Sequence, residues 1–522
     1  MTNARPLIQR MVDRAIENPG LTFNDALNRV QLALRRHSLE SIINVALAAL
    51  DSENLGRTQK VQRLPWLALL LVKWRLLEPI EKTHFRPEIS SAEFARLQDL
   101  LWNARTSLAG EPEFRAIAMI RAAMGVQMAF QRDIHYDFIR WPALIARLPE
   151  NHSNRRQFEE AVGMDPESFM DLTVGVLTAA RHSREIHRTQ FEIFRPAYGA
   201  KVDQFLALFA RSIQTLREEL LVDDGQKRRG RSEVRELPFQ IRFPLLQLDD
   251  DRFVSWHADV LARGIEDAAH IRMAKYAGDY TERFGAVFEN YVFELIDDAG
   301  LTYIPEEALR QASGNQPVVE ALIASDGCNV YVEAKMGLFP DHLLAQDHPD
   351  FLYERTKNIR RGITQAWSIS DWVRSDASPF RSHATAEQDF LLLVTSREIY
   401  LGHGLLLQDL YAVNRFGYPD GELGDRIQRF MPLQNIFIVS ITDFERLTGH
   451  VRASGRSLAT ILKEAAAKNM DALTGKYLLG MHLDGKPGRK GPELARNAFR
   501  ASAKRLHKVL DPSGSRPVPE FD

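Results

Sequence analysis

Residues 318–335, VVEALIASDGCNVYVEAK, hold two β-rich runs, Val318–Ala324 and Cys328–Ala334, on either side of Asp326-Gly327. Asp-Gly is a favoured dipeptide of the two-residue type I′ turn, in which both central residues take positive φ, so the stretch reads as a β-hairpin. With that turn, Glu320 lies opposite Glu333 and Val318 opposite Lys335. Alternation along the strands puts Val319, Ala321, Ile323, Val330, Val332 and Ala334 on one wholly apolar face. The other face carries Val318, Glu320, Leu322, Tyr331, Glu333 and Lys335.

Two carboxylates set directly opposite each other repel, at a cost of about 0.2–1 kcal/mol for an ordinary cross-strand pair. A cation between them removes that cost. Carboxylates without nearby Cys or His suit a hard ion such as Mg²⁺ or Mn²⁺, whose remaining positions go to water and phosphate oxygens. An adjacent ammonium can orient the attacking water and offset charge on the phosphoryl group. The same pattern also fits a surface hairpin whose Glu and Lys are merely solvated.

Outward from the hairpin, helix Thr281 to Asp297 precedes it with the apolar stripe Phe284, Val287, Phe288, Tyr291, Val292 and Leu295, and Glu289 lies at the stripe's edge. A strand near Leu301 to Ile304 follows. After the hairpin come helix Phe351 to Ile369 and strands Asp389 to Thr395 and Asn435 to Ile441. The runs Phe390–Val394 and Ile436–Val439 are continuously apolar, as in strands covered on both faces. Thr442-Asp443-Phe444-Glu445 reads as a capping box opening another helix. An α/β sandwich is the economical fold.

The order Glu289, Glu320, Glu333-Ala334-Lys335 resembles the PD-(D/E)XK, or restriction-endonuclease-like, superfamily over roughly residues 280–447. The resemblance implies a restriction-endonuclease-like α/β/α core behind a mostly α-helical N-terminal domain. It implies a Mg²⁺- or Mn²⁺-dependent nuclease acting on DNA, with Glu289, Glu320 and Glu333 as metal ligands. Lys335 would position or activate water, and Gln365 would orient substrate or the lysine. The family usually has Asp, often after Pro, where Glu320 stands; Asp326 is an alternative ligand that also serves the turn. Gln365-Ala366-Trp367 resembles the Q-x-x-x-Y-type motif of the RecB-like and resolvase-like branches, although Ile369 occupies the Tyr position. Lys357, Arg360 and Arg361 on the same helix suit phosphate contacts or a plain solvated face. Restriction and antiphage defence are settings such nucleases serve. Two other readings stay open: a catalytically weakened fold that binds nucleic acid or a protein partner, and a ribonuclease.

Length and composition set the outer bounds. A chain of 522 residues, 45% hydrophobic, is globular and suggests about three domains. We divide it into a helical domain (1–222), a charged linker (223–236), a small β/α bridging element (237–275), the nuclease-like domain (276–450), a basic helical region (451–510) and a disordered tail (511–522). Ile117, Ile120, Met124 and Met128 form one helical stripe, and Phe205, Phe209, Ile213, Leu216 and Leu220 another. Phe239, Ile241 and Phe243 alternate as in a strand, and Phe253 to Trp256 follow the turn Asp249-Asp250-Asp251. The helical domain suits recognition, a partner subunit or homodimerisation, since cutting both strands of a duplex takes two sites.

A net charge of −2 confines any nucleic-acid contact to local patches such as Lys227–Arg231 and Lys486–Lys508. The single cysteine, Cys328, excludes an intramolecular disulfide and fits a reducing, cytoplasmic compartment. No signal-peptide core opens the sequence, and the longest apolar run, Trp66 to Val72, is too short for a bilayer, so no membrane association is expected. There is no phosphate-binding G-x-x-x-x-G-K-[ST] loop and no serine or cysteine nucleophile motif. Asp341-His342 and Asp347-His348 offer a weaker metal alternative.

Overall fold

A computed structural model describes residues 23–50, 64–79, 85–106, 116–131, 137–224, 231–314, 316–337, 341–345, 348–411, 416–471, 473–487, 493–511 and 513. The fold is mixed α/β. The described residues form two compact units, one within Met1–Ile134, Phe138–Arg272 and Asn497–Asp522, the other built on Met273–Arg496.

The first unit centres on helix Pro65–Leu77, PWLALLLVKWRLL, which is buried at every position from Pro65 to Leu76. A helix apolar on all sides must be surrounded. Helices Phe23–Arg36, Leu39–Leu50 and Ser91–Thr106 pack around it. No helix among the described residues is long and apolar enough to cross a membrane. Lys73 and Trp74 of the central helix both donate to Glu233, at 3.0 and 3.2 Å. Val234 beside it is buried. Thus the described end of the charged segment, a 3₁₀ turn over Arg231–Arg235, is packed rather than solvated. Lys227–Gly230, the bulk of that basic patch, lie outside the described residues.

The same unit holds a sheet with two strands in the expected β/α bridging element and two in the region expected to be helical. Strands β1 (Glu185–His187), β2 (Ala210–Ser212), β3 (Leu245–Gln247) and β4 (Arg252–Ser255) take the order β1-β4-β3-β2. β2 splits the Phe205–Leu220 stripe into helices Lys201–Phe209 and Ile213–Asp224. Parallel pairing of β2 with β3 overrides the local helical period there. The Asp-rich turn forms as read, with Asp249 Oδ1 accepting from the backbone of Asp251 and Arg252. Phe239–Ile241 is a 3₁₀ turn rather than a strand, because Gln240 turns inward to donate to Leu69 O at 3.0 Å. In the C-terminal basic helix Glu493–Leu510, Arg505 forms a two-pronged ion pair with buried Asp171, so its charge is spent internally.

In the second unit the hairpin is central. Asp326 and Gly327 have φ of 42° and 70°, and the strands pair from Ala321↔Val332 to Ser325↔Cys328, the register dictated by the Asp-Gly turn. The five strands are β5 (Tyr303–Pro305), β6 (Ala321–Ser325), β7 (Cys328–Lys335), β8 (Gln388–Thr395) and β9 (Ile436–Ser440). They lie side by side in chain order. β5, β6 and β7 are antiparallel; β8 and β9 continue parallel to β7. Every residue from Cys328 to Ala334 is buried, so the solvated surface hairpin is not what forms. The apolar strands β8 and β9 extend the sheet beyond β7 and bury it.

Helix Tyr280–Asp298 buries Phe284, Phe288, Tyr291, Val292 and Leu295, as its stripe predicts, while Val287 is only half-buried. Instead of one helix from Phe351 to Ile369 there are two, Pro349–Arg355 and Lys357–Val373. Between them the Thr356 hydroxyl turns back to Leu352 O and to the Tyr411 hydroxyl. Helix Ile441–Ser454 is capped by Ser440, which accepts from Asp443 N. The cap thus falls two residues before Thr442, because Ile441 is already helical.

Candidate active site

Glu333 sits near the end of the central strand with a side chain only 1% exposed. Its Oε1 is ion-paired with Lys335, two residues on and therefore on the same face. Its Oε2 has no hydrogen-bond partner. Burial pushes the Glu333 carboxyl up to about 7, against the pull of Lys335 and with the help of Glu306 and Glu289. Glu320 immediately precedes β6, across from Glu333. Its carboxyl is pushed up to about 8, first by burial and then by Glu333, Glu289 and Glu306, with Lys335 opposing. Glu289 is raised by burial and by Glu306. Its side chain folds back over Gly285, which would carry a Cβ 3.9 Å from Glu289 Oε1. Hence the structure brings Glu289, Glu320, Glu333 and Lys335 into one electrostatic cluster.

Glu306 belongs to the same cluster and was not singled out from the sequence. It opens helix Glu306–Ser313 directly after β5 and donates its backbone N–H to Glu320 O at 2.8 Å. The available signal was an acid two residues past an expected strand, which is common and unspecific. Among the described residues no three carboxyl, imidazole or thiol groups already enclose a point where an ion could sit.

Helix Lys357–Val373 lies directly over this end of β7. A Cβ on Gly362 would be 2.9 Å from Leu393 Cδ1, 3.2 Å from Glu333 Cγ and 3.4 Å from Lys335 Cε. Gly362→Val is therefore expected to cost about 1–3 kcal/mol by overpacking and to displace Glu333 and Lys335. Thermal melting together with Mn²⁺ titration checks this; wild-type values in both would mean that the helix shifts freely.

Gln365 donates to Val318 O at 3.4 Å, just ahead of Glu320, while its own Oε1 is buried without a partner. Lys357 and Arg361 are exposed and stand on one helical line with Gln365. Arg360 differs, because its guanidinium stacks 3.4 Å over the Tyr353 ring and its Nε donates to Tyr353 O. Its Nε and one face of the guanidinium are therefore engaged within the protein. Asp326 stays at the turn, at the far end of the strand from Glu333, and its Oδ2 accepts from Thr460. The side chains of Asp341, His342 and Asp347 lie outside the described residues.

These carboxyls set a pH dependence. Each has a folded-state value above its usual 4.5, so between about pH 5 and 8 the folded protein holds protons that the unfolded chain has released. Stability without divalent cations is therefore expected to fall as pH rises through that window. Mn²⁺ competes with those protons, so its stabilising effect should grow from pH 6 to pH 8. Melting temperatures with and without Mn²⁺ at both pH values test the sign.

No family model matches the sequence, and neither a curated protein nor a solved structure matches it.

Proposed function

We propose that this chain is a Mg²⁺- or Mn²⁺-dependent nuclease that hydrolyses DNA phosphodiester bonds, built on a restriction-endonuclease-like α/β/α core. The observation that carries the proposal is the end of β7. There a buried glutamate with an unpartnered oxygen and a lysine share one face, with Glu320 across from them and Glu289 in electrostatic reach. The strand order, with an antiparallel hairpin leading into parallel strands, supports the same core.

The donor set fits a hard divalent ion, since it is made of carboxylate oxygens and Glu333 Oε2 lacks any other partner. Glu320 and Glu333, with Glu289, would hold it. Such an ion supplies Lewis acidity at the phosphoryl oxygen and at water. Lys335 exchanges its contact with Glu333 for the attacking water and the charge building on phosphate. Water oxygen would bond to phosphorus as the bond to the leaving sugar oxygen breaks, the attacking water losing its proton to solvent and the leaving oxygen taking one from a solvent water. Gln365 holds the chain entering Glu320 through Val318 O. Lys357 and Arg361 offer exposed charge to the phosphate backbone, and binding should weaken steeply with salt.

A second reading is favoured by one observation. Glu320 stands where the family usually has Asp. The fold could then bind nucleic acid without cutting it. Incubation of the full chain with supercoiled, linear and single-stranded DNA, and with RNA, in Mg²⁺, Mn²⁺ or EDTA separates these readings. Divalent-dependent DNA cutting that is lost when both Glu320 and Glu333 become Ala supports the proposal. Retention without cutting supports the binding module, and preferential RNA cutting reassigns the substrate.

A further inference from the structure

We infer that the first unit carries a binding site for a phosphate monoester, formed by Arg75 with Arg217 and Arg86 and independent of the nuclease chemistry proposed above. Arg75 stands in the last turn of helix Pro65–Leu77 and is 0% exposed. Its Nη1 donates to Pro79 O at 3.2 Å, the ordinary use of a cation at a helix C-terminus. That role leaves the rest of the guanidinium idle. Its Nε and Nη2 are both buried without a hydrogen-bond partner. These two atoms share one edge of the planar group, the edge that grips two oxygens of a carboxylate or phosphate side by side. A buried donor without an acceptor is costly, and here a whole charged fork is left empty.

Arg217 repeats the pattern from a second element. Helix Ile213–Asp224 packs on helix Pro65–Leu77, and its Leu216 and Leu220 enter the core around that helix. Arg217, next to Leu216, also has a buried Nε without a partner. Arg86 and Arg217 are half-buried, so the positive charge extends from the core toward solvent. Burial, then Arg86, and more weakly Arg217, pull the Arg75 guanidinium down to about 10 against the opposing effect of Glu78. Glu78 is itself held by Arg35, whose Nε lies 2.7 Å from its Oε2. Among the described residues acting on Arg75, two like charges therefore outweigh one carboxylate that is already shared. Charge and shape then select the occupant. A carboxylate brings one charge and two oxygens, which the Arg75 fork alone uses up. A phosphate monoester brings close to two charges near neutral pH and three acceptor oxygens, enough for the Arg75 fork and Arg217 Nε together. A backbone phosphodiester brings less of both.

The test takes the full chain in EDTA at fixed ionic strength, with inorganic phosphate, adenosine 5′-monophosphate, and one oligonucleotide bearing either a 5′-phosphate or a 5′-hydroxyl, followed by calorimetry and melting temperature. At least one phosphate-bearing probe should bind wild type and raise its melting temperature. Arg217→Gln, a change at a half-buried position, should weaken that binding about tenfold, as expected for one lost charged hydrogen bond. Arg75→Met should abolish binding and yet, without phosphate, melt no lower than wild type, because a buried charge without a partner is removed. Tighter binding of the mononucleotide than of inorganic phosphate identifies a free nucleotide as the source. Tighter binding of the 5′-phosphate strand than of the 5′-hydroxyl strand identifies a strand end. Either supports the site when Arg217→Gln weakens it. No binding of any probe to wild type overturns the inference. So does equal binding by wild type and Arg217→Gln, or a lower melting temperature of Arg75→Met with phosphate binding retained, which would make Arg75 a purely structural cap.

Discussion

Lys335→Ala is expected to lower divalent-dependent DNA cleavage on the order of 10²–10⁴-fold while the protein stays folded. Lys335 is the cation that lowers the carboxyls of Glu289, Glu320 and Glu333 alike. Its ammonium holds Oε1 of a glutamate that is almost wholly buried. Removing it has two separable consequences. The Glu333 carboxyl, already raised by burial, rises further and holds its proton more tightly, so Mn²⁺ binding near neutral pH weakens. Raising the pH or the Mn²⁺ concentration restores that binding. Neither restores the donor that positions water and offsets phosphoryl charge, so the rate at saturating Mn²⁺ stays low. Stability should follow the same sign. A carboxyl whose folded-state value lies above the unfolded one destabilises increasingly as pH rises, so the variant loses more against wild type at pH 8 than at pH 6. Nicking rates across a Mn²⁺ series, with circular-dichroism melts at the two pH values, read out both effects. Wild-type rates at saturating Mn²⁺ would remove Lys335 from the chemistry.

Arg374→Ala should give the largest loss of stability, about 3–5 kcal/mol. Arg374 follows helix Lys357–Val373 and ties it to the start of β8. Its Nη2 lies 2.5 Å from Asp389 Oδ1, and its Nη1 donates to Ala384 O and Ala386 O at 3.1 and 2.8 Å. The guanidinium also covers the Phe430 ring at 3.8 Å. The Asp389 side chain is 0% exposed, and Asn329 donates to it at 2.9 Å. Without the arginine, a buried carboxylate and two carbonyls lose donors that water in the interior cannot replace. Burial already raises the Asp389 carboxyl and Arg374 opposes that, so the variant's deficit should shrink toward pH 4, where Asp389 can take up a proton. Arg374→Lys keeps the charge but not the fork, and should recover only part of the loss. Urea midpoints at pH 7 and pH 4 decide this. A loss below about 1 kcal/mol would mean that the network is dispensable.

Much of the second unit was legible because its signals are local. Asp326-Gly327 can make few turns other than the one observed, and that turn sets the register of every residue from Ala321 to Val332. The apolar period of helix Tyr280–Asp298 and the unbroken apolar runs of β8 and β9 needed no partner to be read. Where the chain depends on distant partners, local reading failed. β2 is a strand because it pairs with Leu245–Gln247, although its neighbours carry a helical stripe. Thr356 breaks an expected helix because Tyr411 meets its hydroxyl from 55 residues away.

The candidate site divides along the same line. The facing of Glu320 and Glu333, and the shared side of Glu333 and Lys335, follow from alternation about a two-residue turn, so sequence alone determined them. Glu306 entered only through the pairing of β5 with β6, two strands joined by a helix rather than a tight turn, so no dipeptide sets their register. Tertiary structure also decided that β7 is interior rather than a solvated edge. That burial gives Glu320 and Glu333 their raised carboxyls, because desolvation comes from atoms that surround a residue in space and not from those beside it in the chain.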